Sequence, residues 1–271
     1  MEDTVTVRGS DLARQVGVLS ALTFMLVAAV IGAGAFGDSA VQDQQGGALD
    51  VDGSYLAPAG PAFSIWSVIY LGLIGYAIWQ ALPRQRASAR QRRLGWPIAL
   101  TMTLNGLWLV AARFGTLVLT VVVIALLVAA LAYTFRIAVL TRERRDGAID
   151  AVLIDGVTGL HLGWVTLATV ANVAAWLTTV VPSSWQGGAD AIGVAVLVVV
   201  ALIGLAVDWR SGWRLAPALA LAWGLVWLAV SRGTGEPQSS AIATTAAVVA
   251  AVVLLPAAVG AAWKALRPAT A

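Results

Sequence analysis

Among the polar side chains of a long and mostly apolar stretch of the chain, residues 149–180, three could do chemistry. They are the carboxylate of Asp155, the imidazole of His161 and the amide of Asn172, and each is costly in hydrocarbon unless the protein supplies a partner. An acid and an imidazole on one helix could relay a proton, an imidazole could ligate iron, and an amide could orient a ligand. Asp155 lies near the start of the stretch, where it could equally reach the polar interface or pair with an arginine. We therefore expect a functional site along this stretch.

The spacing of two of these groups predicts a shared face, because His161 and Asn172 are eleven residues apart. In a helix that separation is about 1,100° of rotation, so the two side chains point within about 20° of each other. Val165 and Ala168 lie between them as small side chains. The spacing predicts a groove with a polar group at each end, and Asn105 of another apolar run is a plausible hydrogen-bond partner for Asn172. The alternatives are a histidine buried by packing and an asparagine that only joins two helices.

The composition predicts a membrane protein and excludes several classes of site. Of 271 residues, 59% are hydrophobic and 11% are charged, against about 25% charged in a soluble domain. There is no cysteine and one histidine, which excludes thiolate metal sites, multi-histidine zinc sites and a cysteine nucleophile. We find no phosphate-binding loop, nucleophile elbow or zinc-protease motif, so we predict no catalytic residues, no metal and no certain cofactor.

Eight apolar runs are long enough, or nearly so, to cross a bilayer. Backbone polar groups must be satisfied within each segment in hydrocarbon, so we predict an all-α polytopic membrane protein. The first run follows Arg8 and Arg14 and could instead be a cleaved signal peptide, although its length is enough to span a bilayer. The runs are residues 16–36, 61–82, 94–112, 116–137, 149–180, 189–207, 215–230 and 240–263.

The basic residues predict an orientation rather than a nucleic-acid partner. The net charge is +3, but nearly all Lys and Arg side chains fall on one side of an eight-span topology. The positive-inside rule then puts both termini and the Arg-rich loops in the cytoplasm, in a multi-pass protein of the cell membrane. The first loop, which contains Asp38, Asp43, Asp50 and Asp52 and no basic residue in its span 38–58, would face outward.

Aromatic side chains repeat on one face of the second run. Phe63, Trp66 and Tyr70 fall at positions i, i+3 and i+7, which puts them on one side of a helix. They could form an interfacial aromatic belt, or a wall for a flat apolar ligand. The third run adds Asn105 and Trp108, which share a face.

Taken together, these strings resemble the TspO/MBR family (translocator protein and tryptophan-rich sensory protein) over about residues 16–181. The matching strings are FxxWxxxY from Phe63, LNxxW at Asn105, FG at Phe114 and WVxxATVxNxxxW from Trp164. The resemblance implies a five-helix bundle, often a homodimer, whose cavity under the first loop binds tetrapyrroles or other bulky apolar ligands. Carried over by position, the implied ligand-binding residues are Phe63, Trp66, Tyr70, Asn105, Trp108, Trp164, Ala168, Thr169 and Asn172, to which the spacing argument adds His161.

The chain also departs from the family. It has Pro58-Ala-Gly-Pro61 where the family usually has Pro-Pro-Gly-Trp, and Leu160-His161 where a Pro-Tyr pair is expected. No aromatic-then-basic run follows Trp176, so sterol binding is not expected. We predict a cytoplasmic segment at residues 1–15, a TspO-like bundle at 16–181 and a three-helix extension at 182–271.

The predicted function is binding of a bulky apolar or tetrapyrrole ligand within the lipid bilayer, in sensing or transport. The main alternative is a small proton-coupled transporter that uses Asp155 and His161 as a relay. His161 as a haem ligand is a lesser option, and a membrane enzyme acting on a lipid or porphyrin would need turnover that no motif here requires.

Overall fold

A computed structural model describes residues 7–33, 45–143 and 146–266 of the protein. Within these residues, eight helices are long and apolar enough to cross a membrane. The described residues contain no strand, so the predicted all-α membrane fold is confirmed. Asp38 and Asp43 of the first loop lie outside the described residues. The helices are α1 (Gly9–Gly32), α2 (Ile65–Ala81), α3 (Ala89–Phe114), α4 (Leu117–Leu140), α5 (Ala148–Val180), α6 (Ala189–Arg210), α7 (Leu215–Thr234) and α8 (Ser240–Leu266).

Two helices begin earlier than hydropathy predicts, because polar side chains at their starts bond to one another. The first was expected at residue 16 and the third at residue 94, but they begin at Gly9 and Ala89. Asp11 on α1 is 1% exposed and accepts a hydrogen bond from the Arg92 guanidinium of α3 at 2.6 Å. Arg14 is equally buried and donates to Gln80 of α2 at 2.9 Å. The predicted polar segment is therefore helical from Gly9 onward.

Local sequence explains the tight connection between α3 and α4. Gly115 ends α3, and a Cβ atom there would lie 2.7 Å from the Ala111 carbonyl oxygen, so a larger residue would force the chain open. Thr116 then caps α4, because its hydroxyl accepts a hydrogen bond from the Leu119 amide at 3.3 Å. Such a cap satisfies one of the free amides at a helix start.

The three C-terminal helices pack directly on the first five. Helix α7 lies against α5, where a Cβ on Gly163 would sit 2.1 Å from the Pro217 carbonyl oxygen and a Cβ on Gly224 would sit 2.5 Å from Leu167. Small residues permit this close approach of two membrane helices. Helix α8 packs against both α6 and α7.

Apolar side chains face outward around the molecule. Leu71 on α2, Leu126 on α4, Leu202 on α6 and Leu255 on α8 are all exposed. Water would disfavour so much exposed apolar surface, whereas lipid chains do not. The bilayer is therefore the natural surrounding of these helices.

Helix α5 is not uniform. Its segment Ala151–Gly156 is π-helical, a wider turn than the α-helix on either side. Asp155 lies in this segment and is buried. Segments of this kind accommodate an extra residue within a helix and are frequent at functional sites.

Candidate ligand cavity

A cavity of about 410 Å³ lies among α1 to α5, beneath the first loop. Pockets for small molecules are commonly between about 300 and 1,000 Å³ and mostly apolar. Eight of the ten residues that the sequence predicted for ligand binding line it. They are Phe63, Trp66, Tyr70, Asn105, Trp108, Trp164, Ala168 and Asn172.

Aromatic rings form one wall of the cavity. Trp164 of α5 is 1% exposed and meets Phe63 edge-to-face at 5.6 Å and Trp66 edge-to-face at 6.1 Å between ring centroids. Trp66 in turn lies 5.2 Å from Tyr70. Each ring thus packs on the next, and two of the three pairs have the favoured edge-to-face geometry.

The neutral amides at the cavity are held by hydrogen bonds. Asn172 accepts one from the Trp108 indole at 3.1 Å and donates one to the Thr120 hydroxyl at 3.0 Å. Asn105 donates to the Tyr70 hydroxyl at 3.4 Å. The predicted hydrogen bond between Asn105 and Asn172 is not formed, since each amide bonds elsewhere.

Two of the predicted site residues, His161 and Thr169, do not line the cavity. His161 is 1% exposed, packs edge-to-face on Trp66 at 5.7 Å, and its Nε2 has no hydrogen-bond partner among the described residues. Thr169 donates its hydroxyl to the Val165 carbonyl oxygen of its own helix at 2.7 Å. Val165, Ala168 and Asn172 line the cavity, so the predicted groove exists at its asparagine end and does not reach the histidine.

Asp155 belongs to an ion-pair cluster away from the cavity. Its carboxylate lies 2.8 Å from Arg90, 3.1 Å from Arg142 and 3.0 Å from Arg214. Arg90 also pairs with Asp150 at 3.1 Å. Arg90 lies on α3 and Asp155 on α5, whereas Arg142 follows the end of α4 and Arg214 precedes α7, so the cluster joins four helices. The sequence left Asp155 open as a functional group or as a residue that reaches the interface or pairs with an arginine, and this geometry favours the arginine pairing.

The family resemblance implied that the first loop covers the cavity, but no motif marked which of its residues line it. The roof of the cavity comes from this loop, and Asp50 is the one acidic side chain among the described lining residues. Helices α1 and α4 also contribute apolar lining residues that no motif marked. The loop residues are Ala48, Leu49, Asp50, Val51, Ser54, Ala57 and Pro58, and the helix residues are Ala29, Gly32, Ile124 and Leu127.

No group of three or more His, Cys, Asp or Glu side chains is placed to hold a metal ion within the part of the chain that the structure describes.

Comparison with known proteins identifies a family. The sequence model of a family described as TSPO-like protein matches residues 16–259. The matched range runs past residue 181, where the motif resemblance ended, and takes in α6, α7 and most of α8. No curated protein and no solved structure matches the chain.

Proposed function

The chain belongs to the family of TSPO-like proteins, and from that premise we propose that its cavity binds a bulky, flat, apolar ligand. Tetrapyrroles such as porphyrin or haem are the first class to test. The protein is a multi-pass integral membrane protein of the TspO type. We further propose that it acts in sensing or transport in the cell membrane, with both termini in the cytoplasm, and that it forms a homodimer.

One observation supports the binding proposal above others. Residues chosen from sequence strings in three separate helices converge on one cavity, which Phe63, Trp66, Tyr70 and Trp164 flank with aromatic rings. Aromatic faces offer a large contact area to a flat ligand at little cost in side-chain entropy. The few amide groups present can fix the orientation of such a ligand.

The proton-relay alternative lacks comparable support. Neither Asp155 nor His161 lines the cavity, and three guanidinium groups surround the Asp155 carboxylate. A relay group must pass its proton to the substrate or to a neighbouring acceptor. Both oxygen atoms of this carboxylate are instead engaged in ion pairs that join helices.

The direct test fills the cavity. Ala168 lines it, so Ala168→Phe should displace ligand volume and weaken protoporphyrin IX binding about tenfold or more. Ala129 on α4 is exposed on the outer face, so Ala129→Phe is the matched control and should bind like wild type. Binding is followed by the Soret band of the porphyrin during titration of the detergent-purified protein.

A second pair of variants tests whether binding depends on a tryptophan of the aromatic wall or on any tryptophan of the protein. Trp66→Phe replaces a lining indole with a smaller ring, whereas Trp79→Phe makes the same change at a ring that packs on Tyr76 outside the cavity lining. Weaker binding in the first variant alone supports the wall. Non-saturable binding, or equal binding by all four variants, would refute the ligand proposal.

A further inference from the structure

The roof of the cavity is attached to the C-terminal helices. We define the roof as residues 45–58 of the first loop, half of which line the cavity, and the extension as helices α6 to α8. The first five helices also hold the roof, because Gln45 donates to the Gly115 carbonyl oxygen at 3.0 Å and Thr178 donates to that of Gly53 at 3.3 Å. The extension adds contacts that are more deeply buried.

The strongest of these contacts is a buried guanidinium. Arg232 on α7 is 0% exposed and donates to the Val51 carbonyl oxygen at 2.8 Å. It also donates to the Pro237 carbonyl oxygen at 3.0 Å and to the Ser231 hydroxyl at 2.7 Å. A buried cation must be hydrogen-bonded, and bonds to charged groups are stronger than neutral ones. The Val51 carbonyl, which belongs to a cavity-lining residue, is therefore held firmly to α7.

The same helix fixes the chain that follows the roof. The Ala59 amide donates to the Trp227 carbonyl oxygen at 3.2 Å, and the Trp223 indole donates to the Ala62 carbonyl oxygen at 2.9 Å. The two indole rings pack edge-to-face at 5.8 Å. Three positions of α7, spread over about two and a half turns, thus hold the segment from Val51 to Ala62.

An apolar anchor complements these hydrogen bonds. Leu56 of the roof is 5% exposed and belongs to the buried cluster of the extension, with Leu197 of α6, Leu225 of α7 and Ile242 of α8. The roof is therefore part of the core of the extension as well as a cover for the cavity.

Helix α7 also supports the aromatic wall from behind. A Cβ atom on Gly224 would lie 3.3 Å from the Trp164 ring, so the backbone of α7 packs directly against the indole that flanks the cavity. One helix thus contacts both the roof and the back wall of the site.

We propose that the three-helix extension positions the cavity roof, and that Arg232 is the principal positioning residue. The extension holds the roof closed over the ligand and so sets the rates at which ligand enters and leaves. The kinetic part rests on the proposed binding function, whereas the attachment of the roof can be tested without any ligand.

The test compares Arg232→Met with Arg210→Met, which changes an exposed arginine on α6. Amide hydrogen exchange is measured by mass spectrometry on the full-length, ligand-free protein in detergent. Loss of a charge-assisted hydrogen bond should speed exchange in peptides covering residues 48–57 on the order of tenfold, while α4 peptides stay as in wild type. Arg210→Met should leave both regions unchanged.

Leu56→Ala provides an independent variant in case the arginine change prevents folding, and it should also speed exchange in the roof. Unchanged roof exchange in both variants would overturn the proposal. Faster release of protoporphyrin IX from either variant supports the kinetic part, and unchanged release despite a loosened roof overturns it. If wild type binds no porphyrin but the roof loosens as expected, the attachment stands and the ligand proposal alone fails.

Discussion

The polar side chains at the two ends of helix α5 have different surroundings. Near the roof, Asn172 is a neutral amide with two hydrogen bonds, beside open volume. At the other end Asp155 is a carboxylate among three guanidiniums, and no residue of that cluster lines the cavity. The cavity end keeps space for a ligand, whereas the charged end uses its polar groups to join helices.

This difference corrects a simple expectation about polar residues in membranes. An ionisable residue inside a span is by default a candidate functional residue. Here, however, the Asp155 carboxylate is paired with arginine side chains of the same protein. Within α3 and α5, neutral amides line the cavity instead, at Asn105 and Asn172. The following variants, ordered from the largest expected effect to the smallest, test whether the two ends are as distinct as their contacts indicate.

Asp155→Asn should be the most damaging change. It leaves the guanidiniums of Arg90, Arg142 and Arg214 near one another without their shared counter-charge, and breaking a buried ion pair costs about 3–5 kcal/mol of the free energy of unfolding. Denaturation in mixed micelles measures this cost. Asp150→Asn is the matched control, because Asp150 is more exposed and pairs with Arg90 at the edge of the cluster, so its cost should be about 1 kcal/mol or less. Normal stability together with lost pH-dependent transport would favour the relay instead.

Gly163→Ala tests the close packing of α5 on α7, at a position between the two ends of α5. Its new methyl group would sit 2.1 Å from the Pro217 carbonyl oxygen and force α5 and α7 apart, at a cost of about 1–3 kcal/mol in stability. In Gly156→Ala on the same helix, the new methyl group would lie 3.4 Å from its nearest neighbour, so that variant should be neutral. Equal thermal unfolding temperatures for the two variants would contradict the close packing of α7 on α5.

Asn172→Leu should affect both stability and ligand binding. It removes the acceptor of the Trp108 indole and the amide donor to the Thr120 hydroxyl, and hydrogen bonds between membrane helices are worth about 0.6–2 kcal/mol. Porphyrin affinity should fall with it, since Asn172 lines the cavity. Thr169→Val, which removes a hydroxyl bonded within α5, should bind like wild type; a matching loss there would place the polar contact elsewhere.

His161→Phe should have the smallest effect. The phenyl ring keeps the contact with Trp66, and the histidine does not line the cavity. If stacking rather than iron ligation holds the ring, as the binding proposal requires, haem affinity should stay within about twofold of wild type, with the same Soret maximum. A Soret shift lost in this variant alone would instead identify His161 as an iron ligand.

The sequence predicted the fold well because hydropathy is a local property. All eight spans are present, and the family resemblance is confirmed by the match over residues 16–259. The predicted helix starts were less accurate, because the polar ends of α1 and α3 are stabilised by a bond between Asp11 and Arg92, which are 81 positions apart in the sequence. For the same reason no local pattern could pair Arg90 with Asp155 or Arg232 with Val51.

The site was predicted in part. Family strings marked the residues of the aromatic wall, and the resemblance implied a loop over the cavity, but the loop residues that line it form no motif. The spacing argument placed His161 and Asn172 on one side of α5, yet eleven residues also separate them by about 16 Å along the axis. Helical rotation predicts direction and says nothing about how far along the helix a cavity extends. Trp66 packs against His161, and the cavity ends before reaching it.

The π-helical segment Ala151–Gly156 is the place in α5 where the gene for this protein can gain or lose a codon with least effect on the fold. One residue added or removed elsewhere in α5 turns everything beyond it by about 100°, which would put the arginine-bound carboxylate out of phase with the cavity face. A wide turn can shed its extra residue and become an ordinary α-helical turn. We therefore expect natural variants of different α5 length to differ at this segment, with the asparagine face and its tryptophans kept in phase.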